Sequence, residues 1–388
     1  MSVGLAPRAL AIGALLVIAP AAWSARRAAS GAEGALQTPA AALPETTFAR
    51  LVARLSESGG YFDSDNLMSN EASYLHVLGR MRALGVTGGA YLGVGPDQNF
   101  SYMAQVRPRI AFIIDIRRDN LLQQLLFKAV FTRTRNRAEY LALLFGRPMP
   151  RDWQRWDGSS IEDLVAWVDS TPPSPNAAAA AQETVLSTVK TFDVPLDARD
   201  LETISRFHRT FIDAGLDLRY TSHNRPPRAY YPTYRQLLLE RDLTGKQGSY
   251  LSSEADYRFL KSLQDRNLVI PVVGDLAGEH ALVSIGQLIA ERGEKISAFY
   301  TSNVEQYLMR DGVSFDRFAA NLRRLPRDSR SVIIRSYFGG GFYRQHPNTV
   351  PGYYSTQLLQ TLESFVAEHE AGGYQTYRDV VTKHVLEP

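Results

Sequence analysis

Residues 88–120 read GGAYLGVGPDQNFSYMAQVRPRIAFIIDIRRDN. Two short apolar runs, 90–94 and 110–114, are rich in aliphatic and β-branched residues and bounded by turn residues, the pattern of buried parallel strands. The first opens into Gly93-Val94-Gly95 and the second closes on Asp115. A Gly-x-Gly turn lets backbone N–H groups approach a ligand with no Cβ in the way. An acid at the tip of the next strand can accept hydrogen bonds from two ribose hydroxyls. The 20 residues from Gly95 to Asp115 match the spacing of a nucleotide-binding βαβ half. The same residues also suit a tight turn followed by a solvent-facing aspartate.

A dinucleotide fingerprint needs a third small residue, G-x-G-x-x-G/A. Gln98 stands there, and Pro96 contributes no N–H to a phosphate cradle. Asp97, a carboxylate at the turn, repels phosphate and suits a cationic amino group. A cofactor with ribose, adenine and an ammonium but no phosphate fits these residues best, and S-adenosylmethionine (SAM) is that cofactor.

On these residues the stretch resembles the class I SAM-dependent methyltransferases, and more narrowly a bacterial family of that fold. Gly93 and Gly95 occupy the first two glycine positions of the family's acid-x-Gly-x-Gly-x-Gly motif. Tyr91 stands in place of the acid and Asp97 in place of the third glycine. Asp115 matches the ribose-binding acid. Farther along, residues 268–273 (LVIPVV) followed by Gly274-Asp275 resemble the third strand, with Asp275 matching the acid that faces the adenine amino group. Residues 296–300 resemble the fourth strand, whose tip, Thr301-Ser302-Asn303, borders the methyl group, and 331–337 (SVIIRSY) the fifth. The resemblance covers about 85–130 and 266–340. It implies an α/β fold, a doubly wound Rossmann-like sheet of the SAM-methyltransferase type carrying a large helical insertion.

The rest of the chain is organised around these two stretches. Its 388 residues, 45% hydrophobic and 21% charged, describe a globular protein of one large or two ordinary domains. A net charge of +3 gives no electrostatic reason to invoke nucleic acid. The absence of cysteine excludes disulfides, thiol nucleophiles and Cys-ligated zinc.

Residues 1–30 read as a signal peptide or membrane anchor: Arg8 precedes an apolar run from 10 to 23, too short to span a bilayer unaided. Small residues after the run suit cleavage, whereas Arg26-Arg27 oppose translocation of the chain beyond them. The body is then periplasmic or held at the inner membrane; a cytosolic N-terminal extension is the third reading. Residues 31–44 form a linker. Residues 45–135 hold the N-terminal helices and the first half of the Rossmann-like domain, 136–265 the helical insertion, and 266–388 the second half with a C-terminal helix over 353–370.

Within 59–71 the residues GGYFDSDNLMSNE form a polar turn. Asn70 is placed to cap a helix over 71–84. Asp63, Asp65, Asn66 and Glu71 lack the spacing of a calcium loop. In the resembling enzymes such a segment closes over the methionine end, which makes Phe62, Asp63 and Asn66 candidates for a lid. Basic residues outnumber acidic ones between 107 and 155; a solvated face, an acidic substrate or an anionic membrane surface would each explain them. The insertion reads as helices over 136–145, 161–168 (capped by Ser159 and Glu162), 177–189, 198–214, 233–240 and 253–265.

Methyl transfer relies mainly on alignment, and a base is needed only where the acceptor must lose a proton. His280 and Glu305 lie near predicted strand tips and are the candidate catalytic groups; a surface histidine and a helix-start acid are the plainer readings. Asp63, Gly93, Gly95, Asp97, Asp115, Asp275, Ser302 and Asn303 are the candidate cofactor-binding residues. No His-rich spacing suggests zinc, and neither a hydrolase elbow nor a P-loop occurs. The sequence thus points to a SAM-dependent methyltransferase-like protein with a small-molecule or lipid-like acceptor. The alternative is a non-catalytic exported or membrane-associated binding protein on the same scaffold.

Overall fold

The computed structural model describes residues 1–4, 40–339 and 345–387. The chain divides after residue 40, and the signal-like segment before that point lies outside the described residues. The second unit, Ala41–Pro388, is α/β: a six-stranded, mostly parallel sheet with many helices.

The strands are β1 (Ala90–Gly93), β2 (Ile110–Asp115), β3 (Val269–Val273), β4 (Ile296–Ser302), β5 (Val332–Phe338) and β6 (Ser355–Thr361). Their order across the sheet is β3-β2-β1-β4-β5-β6; β1 to β5 run parallel and β6 is antiparallel to β5. The chain builds outward from β1 to β3, then returns to β4 on the other side of β1. In open parallel sheets the crevice at such a reversal, beyond the carboxyl ends of the strands, is where ligands bind. All five parallel strands coincide with the apolar runs. Residues buried on both faces need no alternation, so each reads as a near-continuous hydrophobic segment.

β6 is a correction to the expected helix over 353–370. Leu358, Leu359, Leu362, Phe365 and Val366 satisfy helical spacing, but the chain is extended to Thr361 and helical only over Leu362–Glu370. Polar partners on β5 decide the matter. Gln357 Oε1 accepts from the Ser336 hydroxyl at 2.6 Å, and Gln360 Oε1 from Arg335 Nη1 at 2.7 Å. Thr361 then caps the helix by accepting from the Ser364 N–H.

The helix Arg118–Arg133 following β2 is buried on every face from Asn120 to Phe131. It lies between β2 and β3 on one side and the helices Pro175–Val189 and Ala198–Ala214 on the other. Polar residues are buried with the apolar ones and find backbone partners: Gln123, Gln124 and Lys128 donate to the carbonyls of Leu67, Gly95 and Gln264. The insertion is therefore part of the body's core. Six arginines between 107 and 137 form ion pairs with Asp256, Glu294, Asp115, Asp200, Glu139 and Glu254, so the basic stretch is largely neutralised by its own neighbours. Among the described residues no helix is long and apolar enough to cross a membrane.

Two local readings shift. Residues 72–77 form turns, and the helix runs only over Leu78–Ala83. Ser69, not Asn70, accepts the Glu71 N–H. The capping box of helix Ile161–Ser170 is Ser160 with Asp163, one residue beyond the expected pair.

Candidate functional site

A cleft of about 300 Å³ opens at the carboxyl ends of β1 to β4. Gly95, Asp115, Asp275, Ser302 and Asn303 line it together, although they come from four separate turns.

The β1 turn is built from within. Tyr91 donates to Asn99 Oδ1 at 2.8 Å, and Asn99 Nδ2 donates to the carbonyls of Val94 and Pro96. Tyr91 thus works inside the turn. A Cβ on Gly93 would run into Asn99 Oδ1 and the Tyr91 ring. Gly93 therefore serves the packing of the turn and is not on the cleft wall, which corrects its assignment to the cofactor. Gly95 is on the wall, at φ +80°, a conformation that favours glycine.

At the β2 tip, Asp115 is gripped by Arg117: Nε donates to Oδ1 at 3.0 Å and Nη2 to Oδ2 at 2.8 Å. The Arg117 N–H adds a bond to Oδ1 at 2.9 Å. One acceptor position on Oδ2 is left for a ligand hydroxyl. At the β3 tip, Asp275 Oδ1 accepts the Ala277 N–H at 2.9 Å, and the Asp275 N–H is held by Glu57 Oε1 at 2.7 Å. Its Oδ2 is without a protein donor among the described residues.

Residues 56–70 form a strap across these tips. Gly60 N–H bonds the Ile116 carbonyl, and Arg117 Nη1 donates to the carbonyls of Ser64 and Asp65. Asp65 clasps Arg206 of the insertion at 2.6 Å and His223 at 3.2 Å. Burial works to raise the Asp65 carboxyl, but these two contacts outweigh it and hold it below the usual range. Tyr61, Phe62 and Asn66 face the cleft, with Phe62 edge-on to Tyr307 at 5.5 Å and Tyr220 on the same wall. Asp63 is not on the wall. It pairs with Arg225 and accepts from the Tyr61 hydroxyl, which removes it from the cofactor set.

The β4 side joins Ser302 to groups the sequence did not propose for the site, Glu71, Tyr300 and Gln98. Ser302 takes φ +53° beside a register irregularity between Tyr300 and Ser302. A non-glycine residue held in this conformation at a cleft is a typical functional-site feature. Its hydroxyl donates to Glu71 Oε1, and the Tyr300 hydroxyl donates to Glu71 Oε2 at 2.7 Å. Gln98 Nε2 donates in turn to Tyr300 at 3.0 Å. Glu71 is 1% exposed and lines the cleft; burial pushes its carboxyl up, only partly offset by its hydrogen bonds. A glutamate in a polar turn carries no local signal that it will be folded beneath Ser302.

Three further assignments are corrected. Asp97 points into the insertion, where Tyr234 and Tyr250 donate to its Oδ2; burial pushes it up to about 6. Gln98, the next residue, takes the cleft wall instead. Glu305 is fully buried against Arg335, whose Nε reaches both its oxygens at 2.8 and 2.9 Å. That pairing and its absence from the wall rule it out as a base for a ligand in the cleft. His280 binds the Arg54 carbonyl at 2.7 Å, also away from the wall. Among the described residues no group of three or more acids and histidines is placed to hold a metal ion.

A search of curated proteins gives no significant match. A family model matches residues 67–147 and 217–385, stretches that contain all six strands and Gly95, Asp115, Asp275, Ser302 and Glu71 of the cleft. The chain belongs to the family described as a domain of unknown function (DUF7790).

Proposed function

We propose that the chain binds SAM in this cleft and methylates a small-molecule or lipid-like acceptor. The observation that carries the reading is that Gly95, Asp115 and Asp275 share one cleft with Ser302 and Asn303. On this reading the sheet is a Rossmann-like sheet of the methyltransferase type. Asp115 Oδ2 is the ribose acceptor, Asp275 faces the adenine amino group, and Gly95 admits the ligand against bare backbone. SAM supplies a methyl group bound to a cationic sulfur. The lining residues fit such a molecule: three carboxylates, Glu71, Asp115 and Asp275, face the cleft against one cation, Arg117, and that cation is already paired. A phosphate-bearing cofactor would meet repulsion there. Phe62, Tyr220 and Tyr307 exclude water from the reacting end, and alignment lowers the barrier.

Calorimetry with S-adenosylhomocysteine, the demethylated product, tests the reading. Binding that Asp115→Ala and Asp275→Ala each abolish supports it. An absence of heat at millimolar ligand with folded protein ends it.

A second reading has one observation in its favour. Arg117 takes three of the acceptor positions of Asp115, more than a free ribose acid would give up. On this reading the chain binds a ligand or partner without transferring a group, and residues 1–30 deliver it to the periplasm or the inner membrane. Fractionation of cells expressing a tagged chain tests that location.

A further inference from the structure

Glu71 sits at the β4 end of the cleft, on the opposite side of the β1 turn from Asp115 and Asp275. Its described partners, Ser302, Ser336, Tyr300 and Gln357, are all neutral. No arginine or lysine among the described residues pairs with it. A carboxylate removed from water is expected to have a counter-ion, because burying one unpaired is expensive. Glu305, equally buried, has Arg335. Glu71 differs from it by lining a cavity, so its counter-ion can arrive from outside. Oε1 accepts the Ser302 hydroxyl, and the nearby Ser336 hydroxyl gives its one proton to Gln357, so Oε1 keeps room for one more donor. On the same wall Gln98 is 6% exposed, and its Oε1 is a second acceptor without a partner.

We propose that Glu71, with Gln98 beside it, forms a subsite for a protonated amine, and that the second ligand of the cleft is a primary or secondary amine. The inference rests on the proposed methyl-transfer reading for its chemistry, though not for its charge argument. The step at Glu71 is a proton transfer. An ammonium N–H bond breaks, its electron pair stays on nitrogen, and the proton passes to Glu71 Oε1. An ammonium and a carboxylate become an amine and a carboxylic acid, and the nitrogen lone pair is free to accept a methyl group. Burial that favours the protonated carboxyl favours this direction of transfer. Ser302, through its bond to Glu71, is a positioning residue.

The test compares benzylamine with benzyl alcohol, a neutral molecule of nearly the same shape, by ligand-observed NMR on the full chain near neutral pH. Benzylamine is expected to bind about tenfold more tightly or better, the range for a hydrogen bond to a charged group. Glu71→Gln removes the preference, and Glu370→Gln, at an exposed carboxylate paired with Arg323, leaves it in place. Equal binding of the two probes to the unaltered protein overturns the proposal whether or not Glu71→Gln folds. A preference that survives Glu71→Gln in folded protein overturns it as well. S-adenosylhomocysteine is titrated in parallel. No heat from it with an intact amine preference sinks the methyl-transfer reading and leaves the subsite standing. Heat without a preference does the reverse.

Discussion

Arg117 folds back onto Asp115 two residues before it and, with the far end of the same guanidinium, holds the carbonyls of Ser64 and Asp65. One side chain therefore orients the acid of β2 and pins the strap above it. Arg117→Met removes both functions while keeping the apolar stem. The strap should become a site of early proteolytic cleavage between 61 and 66, and, on the proposed methyl-transfer reading, S-adenosylhomocysteine should bind at least about tenfold more weakly, the loss of one charge-assisted contact. An unchanged digestion pattern would show that the strap is held by other means.

The two glycines of the β1 turn should fail in different ways. Gly93→Ala drives a Cβ into Asn99 Oδ1 and breaks the Tyr91–Asn99 pair, so it should lower the melting temperature. Gly95→Ala meets Asn66 Nδ2 at 3.1 Å and forces a left-handed conformation, which costs about 1–2 kcal/mol. Its larger effect should be on ligand affinity, since Gly95 and Asn66 both face the cleft. Equal losses of stability with equal affinities would contradict the division of labour between them.

Asp97 and His208 should hide each other's pH dependence. Burial holds Asp97 at about 6, up from 3.8, so the folded chain keeps a proton that the unfolded chain loses between those values. That contribution to stability is present at low pH and is lost as pH rises through 6. Burial holds His208 down at about 4, from 6.5, so the unfolded chain binds a proton that the folded chain does not. That contribution grows as pH rises across nearly the same window. Each shift of about two units amounts to about 3 kcal/mol. Denaturant titrations of Asp97→Asn should therefore show stability relative to the parent rising by about 3 kcal/mol between pH 4 and pH 7. A flat difference would mean that Asp97 is not buried as described.

Glu305 and Arg335 should matter to folding and not to binding. Glu305→Gln leaves the Arg335 charge fully buried without its counter-ion and should cost about 3–5 kcal/mol. The double change Glu305→Leu with Arg335→Met should recover most of the loss, because both charges go together. On the proposed methyl-transfer reading, variants that stay folded should bind S-adenosylhomocysteine as the parent would. Lost binding with intact folding would return Glu305 to the site.

The parallel strands were legible because burial on both faces writes itself into consecutive residues, as in IAFIID of β2. The joint position of Asp115 and Asp275 followed from their places at strand tips. What could not be read locally was decided by distant partners. The Asp97 carboxylate turns toward Tyr234 and Tyr250, more than 130 residues on, so its neighbour Gln98 reaches the cleft. β6 is a strand because Gln357 and Gln360 answer Ser336 and Arg335 on β5. Glu71 was visible only as one acid in a polar turn, since Ser302 and Tyr300 lie some 230 residues away.

The clasp of Asp65 on Arg206 joins two stretches that both fall outside the family match, which begins at residue 67 and omits 148–216. Most of the floor that would recognise a ligand belongs to the matched portion, as do Arg117 and His223, which also hold the strap, whereas Asp65 and Arg206 lie outside it. The rate at which a molecule enters and leaves can thus be altered at that one pair without touching the floor. Asp65→Asn should shorten residence time and hasten entry together, with the equilibrium constant nearly unmoved.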